Sequence, residues 1–389
     1  MRTPTQSLFH AADTNPETLL AASKQTLLRV GFVMSTEVGL NTQYQNWRNH
    51  LTPDLGITPE WIVTNWWKPN GFIESLPFIP SGLKARLRAF LDVSASLSKG
   101  PFDALFVCSE EILYRPERVL ARQPYVMVRD VTRRQLYQFG DLYHKNPPRF
   151  AGMERREFRK HCRLWRGAVA LFPWSHWAAS SLIEDYGADP ARIHVVPPGV
   201  DLSAWQSVRS DERQQPTNIL FVGGNFHRKG GYLLLEWAAK THLRDWTLHL
   251  VTRDNVTPPN ERVKVYNNLS SNAPALIQLY QNADIFVLPT LGDCYSLASI
   301  EAMAAGLPVI VTDIGGIGDI VQTGKTGYLM PPGDEAALAE RLEYLIGHPD
   351  ERLAMGREAR RDAEERYDVN KNIIRTVTIL RAALGVPLI

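Results

Sequence analysis

The sequence predicts an α/β protein made of two Rossmann-like, doubly wound domains that face a central cleft. Three observations carry this. The chain has 389 residues, too many for one ordinary core. Two successive series of short apolar runs alternate with helical stretches, and a polar, turn-rich break separates the series. Strands buried on both faces of a helix-covered parallel sheet read as such runs.

The first series opens with "TLLRVGFVM" (26–34), which ends in a Gly-containing loop and leads into a helical pattern. "FDALFVC" (102–108), "PYVMVRD" (124–130), "GAVALFPWS" (167–175) and "IHVVPPGVD" (193–201) repeat the theme. "WQSVRSDERQQPT" (205–217) is the break. "NILFVGG", "TLHLVT", "VKVYNN", "ADIFVLP", "LPVIVTD" and "TGYLMPPGD" form the second series, and the rest is strongly helical. The expected organisation is a tail over 1–27, a first domain over 28–205, a second over 206–367, and a final helix over 368–389 returning toward the first.

A formal net charge of +2 is close to neutral and excludes bulk nucleic-acid binding as a function class. Cys108, Cys162 and Cys294 are scattered, with no Cys-x-x-Cys pair and no His at ligand spacing, which argues against a disulfide framework or a zinc site. No run of about 18 apolar residues occurs, and the first residues lack an unbroken apolar segment. The expectation is a soluble cytoplasmic protein. "ERREFRKHCRLWRGA" (154–168) reads either as a solvated helix whose apolar stripe packs on its own sheet or as a basic face for anionic lipid. "TNWWKPNGF" (64–72) places two tryptophans on the first domain, for core packing or for stacking on a ring.

The chemistry concentrates in "GDCYSLASIEAMAAGLPVIV" (292–311). Pro289 stops the strand "ADIFVLP", so "TLGDCY" is a loop at a strand's carboxyl end, where doubly wound sheets bind ligands. Ser296 suits an N-cap for "LASIEAMAA", and Gly306 closes that helix. The unpaired N–H groups at its start, with the positive end of the dipole, suit a phosphate. Glu301 lies about one turn further in, where a carboxylate can accept from the vicinal hydroxyls of a ribose; the bland alternatives are a solvated helix residue for Glu301 and a cap for Asp293. "FVGGNFHRKGGYLLLEWA" (221–238) adds a strand, a Gly pair and a loop with His227, Arg228 and Lys229. Adjacent cations there can neutralise a diphosphate on the neighbouring helix start.

In order, "HVVPPGVD", "FVGG…RKGG", "LYQNADIFVLPT", "D…SLASIEAMAAGLPVIVTDIGG" and "GKTGYLMPPGD" resemble the retaining GT-B glycosyltransferases of group 1, a family that includes bacterial-type glycogen synthases and phosphatidylinositol mannosyltransferases. The resemblance is strong over about residues 190–335. It implies a nucleoside-diphosphate sugar, UDP- or GDP-linked, on the second domain and a hydroxyl acceptor on the first, with no cofactor and no metal. Glu301 matches the acid that holds the ribose, Asp293 the acid, usually Glu, that contacts the donor sugar, and Lys229 the lysine on the departing diphosphate. The backbone N–H groups of Ser296 and Leu297 match the β-phosphate site, Leu269 falls near the backbone that meets the base, and Gly39 lies in the loop that shapes acceptor access.

Three positions depart from the family pattern. Asp293 is one methylene shorter than Glu. Gly224 stands where the family often has a phosphate-binding Arg, leaving Arg228 to compensate. Arg129 replaces a frequent His, followed by Asp130; either Asp130 holds a sugar hydroxyl while Arg129 is structural, or the two form a strand-end ion pair. These departures motivate one alternative, a sugar-nucleotide-binding protein with little turnover; another is a different activity on the same scaffold, such as epimerisation.

Overall fold

A computed structural model describes residues 27–387, apart from 37–38, 65–67, 69, 99, 109–119, 121–122, 145, 149 and 206–215. Trp66, Trp67, the tail and most of the break between the two series lie outside the described residues. The first sheet holds β1 (Leu28–Ser35), β2 (Ile57–Thr64), β3 (Ala104–Val107), β4 (Tyr125–Arg129) and β5 (Ala170–Pro173), in the order β2-β1-β3-β4-β5. The second holds β6 (Thr217–Val222), β7 (Trp246–Val251), β8 (Val263–Tyr266), β9 (Ile285–Leu288), β10 (Val309–Thr312) and β11 (Gly327–Met330), in the order β11-β10-β9-β6-β7-β8. Every pairing is parallel.

Parallel strands need helical crossovers, and the helices cover both faces. The inner strands are accordingly apolar throughout: all four residues of β3, β9 and β10 are buried. In the second sheet the chain runs outward one way from β6 through β7 to β8 and the other way through β9 to β11. The order reverses between β6 and β9, so a crevice opens at their carboxyl ends.

Two elements differ from the sequence reading. Residues 193–201 are not a strand; only isolated bridges, Leu171 to Ile193 and Val200 to Asp368, form there. Pro197 and Pro198 lack the N–H groups a ladder needs. β2 is the converse case. Pro59 hides it from a strand pattern, yet it occupies the sheet edge, where proline is tolerated.

The last helix, Val369–Ala383, packs against helix Leu40–His50 of the first domain. Asn372 donates to the Pro197 carbonyl at 3.1 Å, and Arg381 to the Gly56 carbonyl at 3.3 Å. Helix Ala151–Gly167 buries Leu164 and Trp165 in the core under the first sheet and leaves Arg155, Arg156, Arg159 and Arg163 exposed. Its apolar stripe is therefore taken up by its own domain. Among the described residues, no helix is long and apolar enough to cross a membrane.

Candidate active site

The loops after β6 and β9 meet at the crevice because the chain around Lys229 can approach the neighbouring strand end. Gly230 has φ +71°, and a Cβ there would lie 1.8 Å from the Pro289 carbonyl oxygen. Only glycine fits that contact and that backbone. The two loops are then laced together: Leu291 N–H donates to the Arg228 carbonyl at 2.8 Å, and the Thr290 hydroxyl to the same carbonyl at 3.1 Å. This places the Lys229 ammonium on Asp293 Oδ2 as a part-buried ion pair. Arg228 Nη1 donates to the Gly292 carbonyl at 2.7 Å and lies 3.9 Å from Asp293 Oδ1.

Helix Leu297–Ala304 starts beside this pair, and Ser296 caps it as its residue type predicts: the side chain accepts from Ser299 N–H at 3.2 Å. Among the described residues, no protein acceptor takes the N–H groups of Ser296, Leu297 or Ala298. They are the donors that a helix start leaves over. Glu301 lies on the inner side of the helix, 7% exposed, and its Oε2 accepts from the Tyr280 hydroxyl at 3.1 Å. The solvated-helix alternative for Glu301 is thereby excluded. Burial pushes its pKa up to about 7, against the opposing hydrogen bond from Tyr280. A buried carboxyl so poised gains most from partners that donate to its ionised form.

The first domain supplies the opposite wall. A Cβ on Gly39, in the loop after β1, would lie 3.9 Å from Leu297 Cδ1, so this loop meets the helix start directly. Asp130 follows β4 at its carboxyl end. Its charge is felt at Cys294: burial raises that thiol's pKa well above the ordinary value, with Asp130 and then Asp293 adding to the rise. Arg129 turns away into the core, its guanidinium 5.5 Å from the Trp165 ring. The walls also touch beyond the site. His176 N–H, at a helix start, donates to Asp319 Oδ2 at 2.5 Å, and Trp174 meets Tyr295 edge-on at 5.8 Å.

Residues 216–348 match the family model described as glycosyl transferases group 1. That stretch, which makes up most of the second domain, is similar to the group 1 glycosyl transferases. A D-inositol 3-phosphate glycosyltransferase of Pseudarthrobacter chlorophenolicus is 31% identical over 226 residues, 53% of this chain and 54% of that protein. A MMP alpha-(1->4)-mannosyltransferase of Mycolicibacterium hassiacum is 28% identical over 57% of this chain and 56% of that protein. The chain thus spans about half the length of the curated relatives it matches. The fold likeness is wider. Sucrose-phosphate synthase of Thermosynechococcus elongatus superposes with a TM-score of 0.74 at 15% identity, covering 92% of this chain and 99% of that one. Anabaena Alr3699/HepE, solved in complex with UDP-glucose, gives 0.64 at 17% identity, covering 90% and 99%. The architecture is GT-B.

Within this GT-B scaffold, Lys229, Arg228, Asp293, Ser296, Leu297 and Glu301 gather around one helix start, with Gly39 and Asp130 across from them. Leu269 is more remote in kind: it lies half-buried in the loop after β8, an edge strand, packed on the second domain's core. Arg228, the residue expected to compensate at Gly224, donates to the Gly292 carbonyl and to the Tyr143 hydroxyl. The cation beside Gly224 is Arg253, from the loop after β7; a Cβ on Gly224 would lie 3.0 Å from its Nε and Nη2. Arg253 is exposed, and no ion pair or hydrogen bond of its side chain is found among the described residues. "VTRDN" offers only a strand followed by a charge, so nothing local in the sequence marks Arg253 or Tyr143.

Proposed function

We propose that the protein transfers a hexosyl group from a nucleoside-diphosphate sugar to an acceptor hydroxyl, with retention of anomeric configuration and without a metal. The observation that carries this reading is the conjunction at the ends of β6 and β9: a lysine, a helix start with uncommitted N–H groups, and a buried carboxyl one turn deeper. Those three match, in order, the diphosphate and the ribose of one extended ligand. Relatives with printed glycosyltransferase and mannosyltransferase activities, and a neighbour solved with UDP-glucose, support it.

Departure of the diphosphate puts negative charge on phosphate oxygens, so catalysis requires preorganised donors aimed at them. Lys229, Arg253 and the helix start at Ser296 and Leu297 take that part. For Lys229 to do so, its ammonium moves from Asp293 to the phosphate, which frees Asp293 for a sugar hydroxyl. Asp130 holds the sugar or acceptor from the opposite wall. The acceptor oxygen attacks the anomeric carbon on the face from which the diphosphate leaves; the carbon–phosphate-oxygen bond breaks, and the hydroxyl proton passes to the leaving phosphate. Closure of the domains excludes water that would otherwise hydrolyse the donor.

A second reading, nucleotide-sugar binding with little turnover, draws on one observation: Lys229 and Arg228 are both satisfied by protein groups. A thermal-shift screen of UDP-, GDP- and ADP-sugars, followed by NMR of products with and without acceptor alcohols, separates the two. Stabilisation by one donor class with an axial or equatorial anomer preserved in the product supports transfer. Stabilisation without product across a broad acceptor set supports binding alone, and no stabilisation by any sugar nucleotide sinks both.

A further inference from the structure

We propose that Tyr143 is a positioning residue of this site, lent across the cleft by the first domain, and that its hydroxyl completes the setting of Asp293 only when the domains are closed. The inference rests on the transfer reading above. Tyr143 ends a 3-10 turn, Gly140–Tyr143, that follows helix Arg133–Gln138. Its oxygen is 2.9 Å from Arg228 Nη1 and 3.4 Å from Asp293 Oδ1, and its ring lies 4.4 Å from the Arg228 guanidinium carbon. A guanidinium only donates, and an ionised carboxylate only accepts. The hydroxyl must therefore accept from Arg228, and its own proton has two acceptors in reach, the Cys294 sulfur and Asp293 Oδ1, of which the ionised carboxylate is the stronger. Asp293 is then bounded by Lys229 on Oδ2, from its own domain, and by Tyr143 on Oδ1, from the other.

The turn is seated, and the seat is made by both domains. Val131, Leu136 and Phe139 form one apolar cluster with Cys294, flanked by Leu142, Trp177 and Ile314. Gly292 lets the turn lie down: a Cβ there would come 3.0 Å from Leu142 Cδ1 and 3.3 Å from Phe139 Cδ1. Burial, with the Asp293 charge beside it, holds the Tyr143 phenol far above its ordinary range, so it remains a proton donor throughout the working pH range. No such arrangement is available to an open molecule, since three of the four linked groups belong to one domain and Tyr143 to the other. Closure thus does more than exclude water; it sets the orientation of the acid that meets the sugar.

Ring and hydroxyl can be tested apart. Tyr143→Phe keeps the stack on Arg228 and the seat on Gly292 and removes only the hydroxyl, both as donor to Asp293 and as acceptor from Arg228. With UDP-glucose and GDP-mannose as probes, nucleotide release in Tyr143→Phe is expected to fall at least tenfold in kcat, while calorimetric binding of UDP or GDP, which needs only the second domain, stays within twofold of wild type. Wild-type kcat in Tyr143→Phe overturns the hydroxyl's role. In ligand-free protein, Tyr143→Ala and Gly292→Val are each expected to raise amide hydrogen exchange over residues 290–295 severalfold, with Tyr143→Phe unchanged. Equal exchange in all four proteins overturns the closure contact. Failure of wild type to release nucleotide from either probe would sink the transfer reading and the kinetic part of this proposal, while the exchange measurement decides the contact by itself.

Discussion

The two walls of the cleft are built by different means. On the second-domain side the groups proposed to meet the donor are mostly main chain or buried: helix-start N–H groups, a carboxyl 7% exposed, and a lysine fixed by a glycine turn against Pro289. The first-domain side offers isolated side chains, Asp130 and Tyr143, and one loop glycine, Gly39. The family model falls wholly on the former. A diphosphate and a ribose present the same chemistry whatever sugar they carry, and a rigid main-chain cradle suits them. On the proposed function, the opposite wall meets the part of the ligand pair that varies, and side chains on turns are the means of varying a contact without rebuilding a sheet.

The sharpest way to break this contrast is Lys229→Ala. With the main-chain donors left in place, turnover is expected to fall by at least 100-fold, on the scale of removing one preorganised charge-stabilising donor, with the fold retained by circular dichroism. Activity within tenfold of wild type would mean that the helix start alone carries the phosphate.

Glu301→Gln comes next and tests whether the buried carboxyl is a ligand or only part of the core. The folded pKa of about 7 stands above the ordinary 4.5, so between those values the folded chain holds a proton that the unfolded chain has released. Stability therefore falls as pH rises from about 4.5 through 7, by roughly 3 kcal/mol in all. In denaturant titrations, Glu301→Gln is expected to flatten that fall and to be more stable than wild type at pH 8. If ribose hydroxyls donate to the carboxylate, the donor lowers the Glu301 pKa, and binding at pH 6.5 releases a proton. Calorimetric enthalpies that do not vary with buffer ionisation heat would refute the contact. Affinity is expected to drop about tenfold in the variant, as for loss of a hydrogen bond to a charged group.

Arg253→Ala is expected to weaken nucleotide binding about three- to tenfold, with a shallower salt dependence, because an exposed cation is well screened. Unchanged affinity and salt dependence would return the phosphate to Lys229 and the helix alone.

How much was legible in the sequence follows the same division. The sheet-end loops were readable because glycine, proline and capping serine at fixed offsets dictate local backbone, and Ser296 is the cap that "YSLASIE" predicts. The inward placement of Glu301 is legible from its helical spacing from the loop, though not its partner Tyr280, which reaches it from helix Pro274–Asn282. Arg253 and Tyr143 were missed for one physical reason: each acts through a contact distant in the chain. Tyr143 is 85 residues from Arg228 and 150 from Asp293, and no local periodicity encodes such a meeting. Pro197 and Pro198 misled in the other direction, since an apolar β-branched run around them outweighed the two missing donors.

Ser296→Ala should have the smallest effect on activity, and it probes the contrast most directly. Its hydroxyl accepts from Ser299 N–H and from the Ser299 hydroxyl at 2.7 Å, so its loss removes a cap and leaves a buried donor short of a partner. The expected cost is about 1 kcal/mol of stability, read as a lower denaturation midpoint at unchanged slope. Donor affinity should change by less than twofold, because the phosphate is held by N–H groups that alanine also supplies. The second-domain wall would then lose stability without affinity when a side chain is cut, while the first-domain wall, at Tyr143→Phe, loses turnover without stability. A tenfold loss of affinity in Ser296→Ala would mean that the hydroxyl itself binds the phosphate, and that the two walls recognise their ligands in the same way.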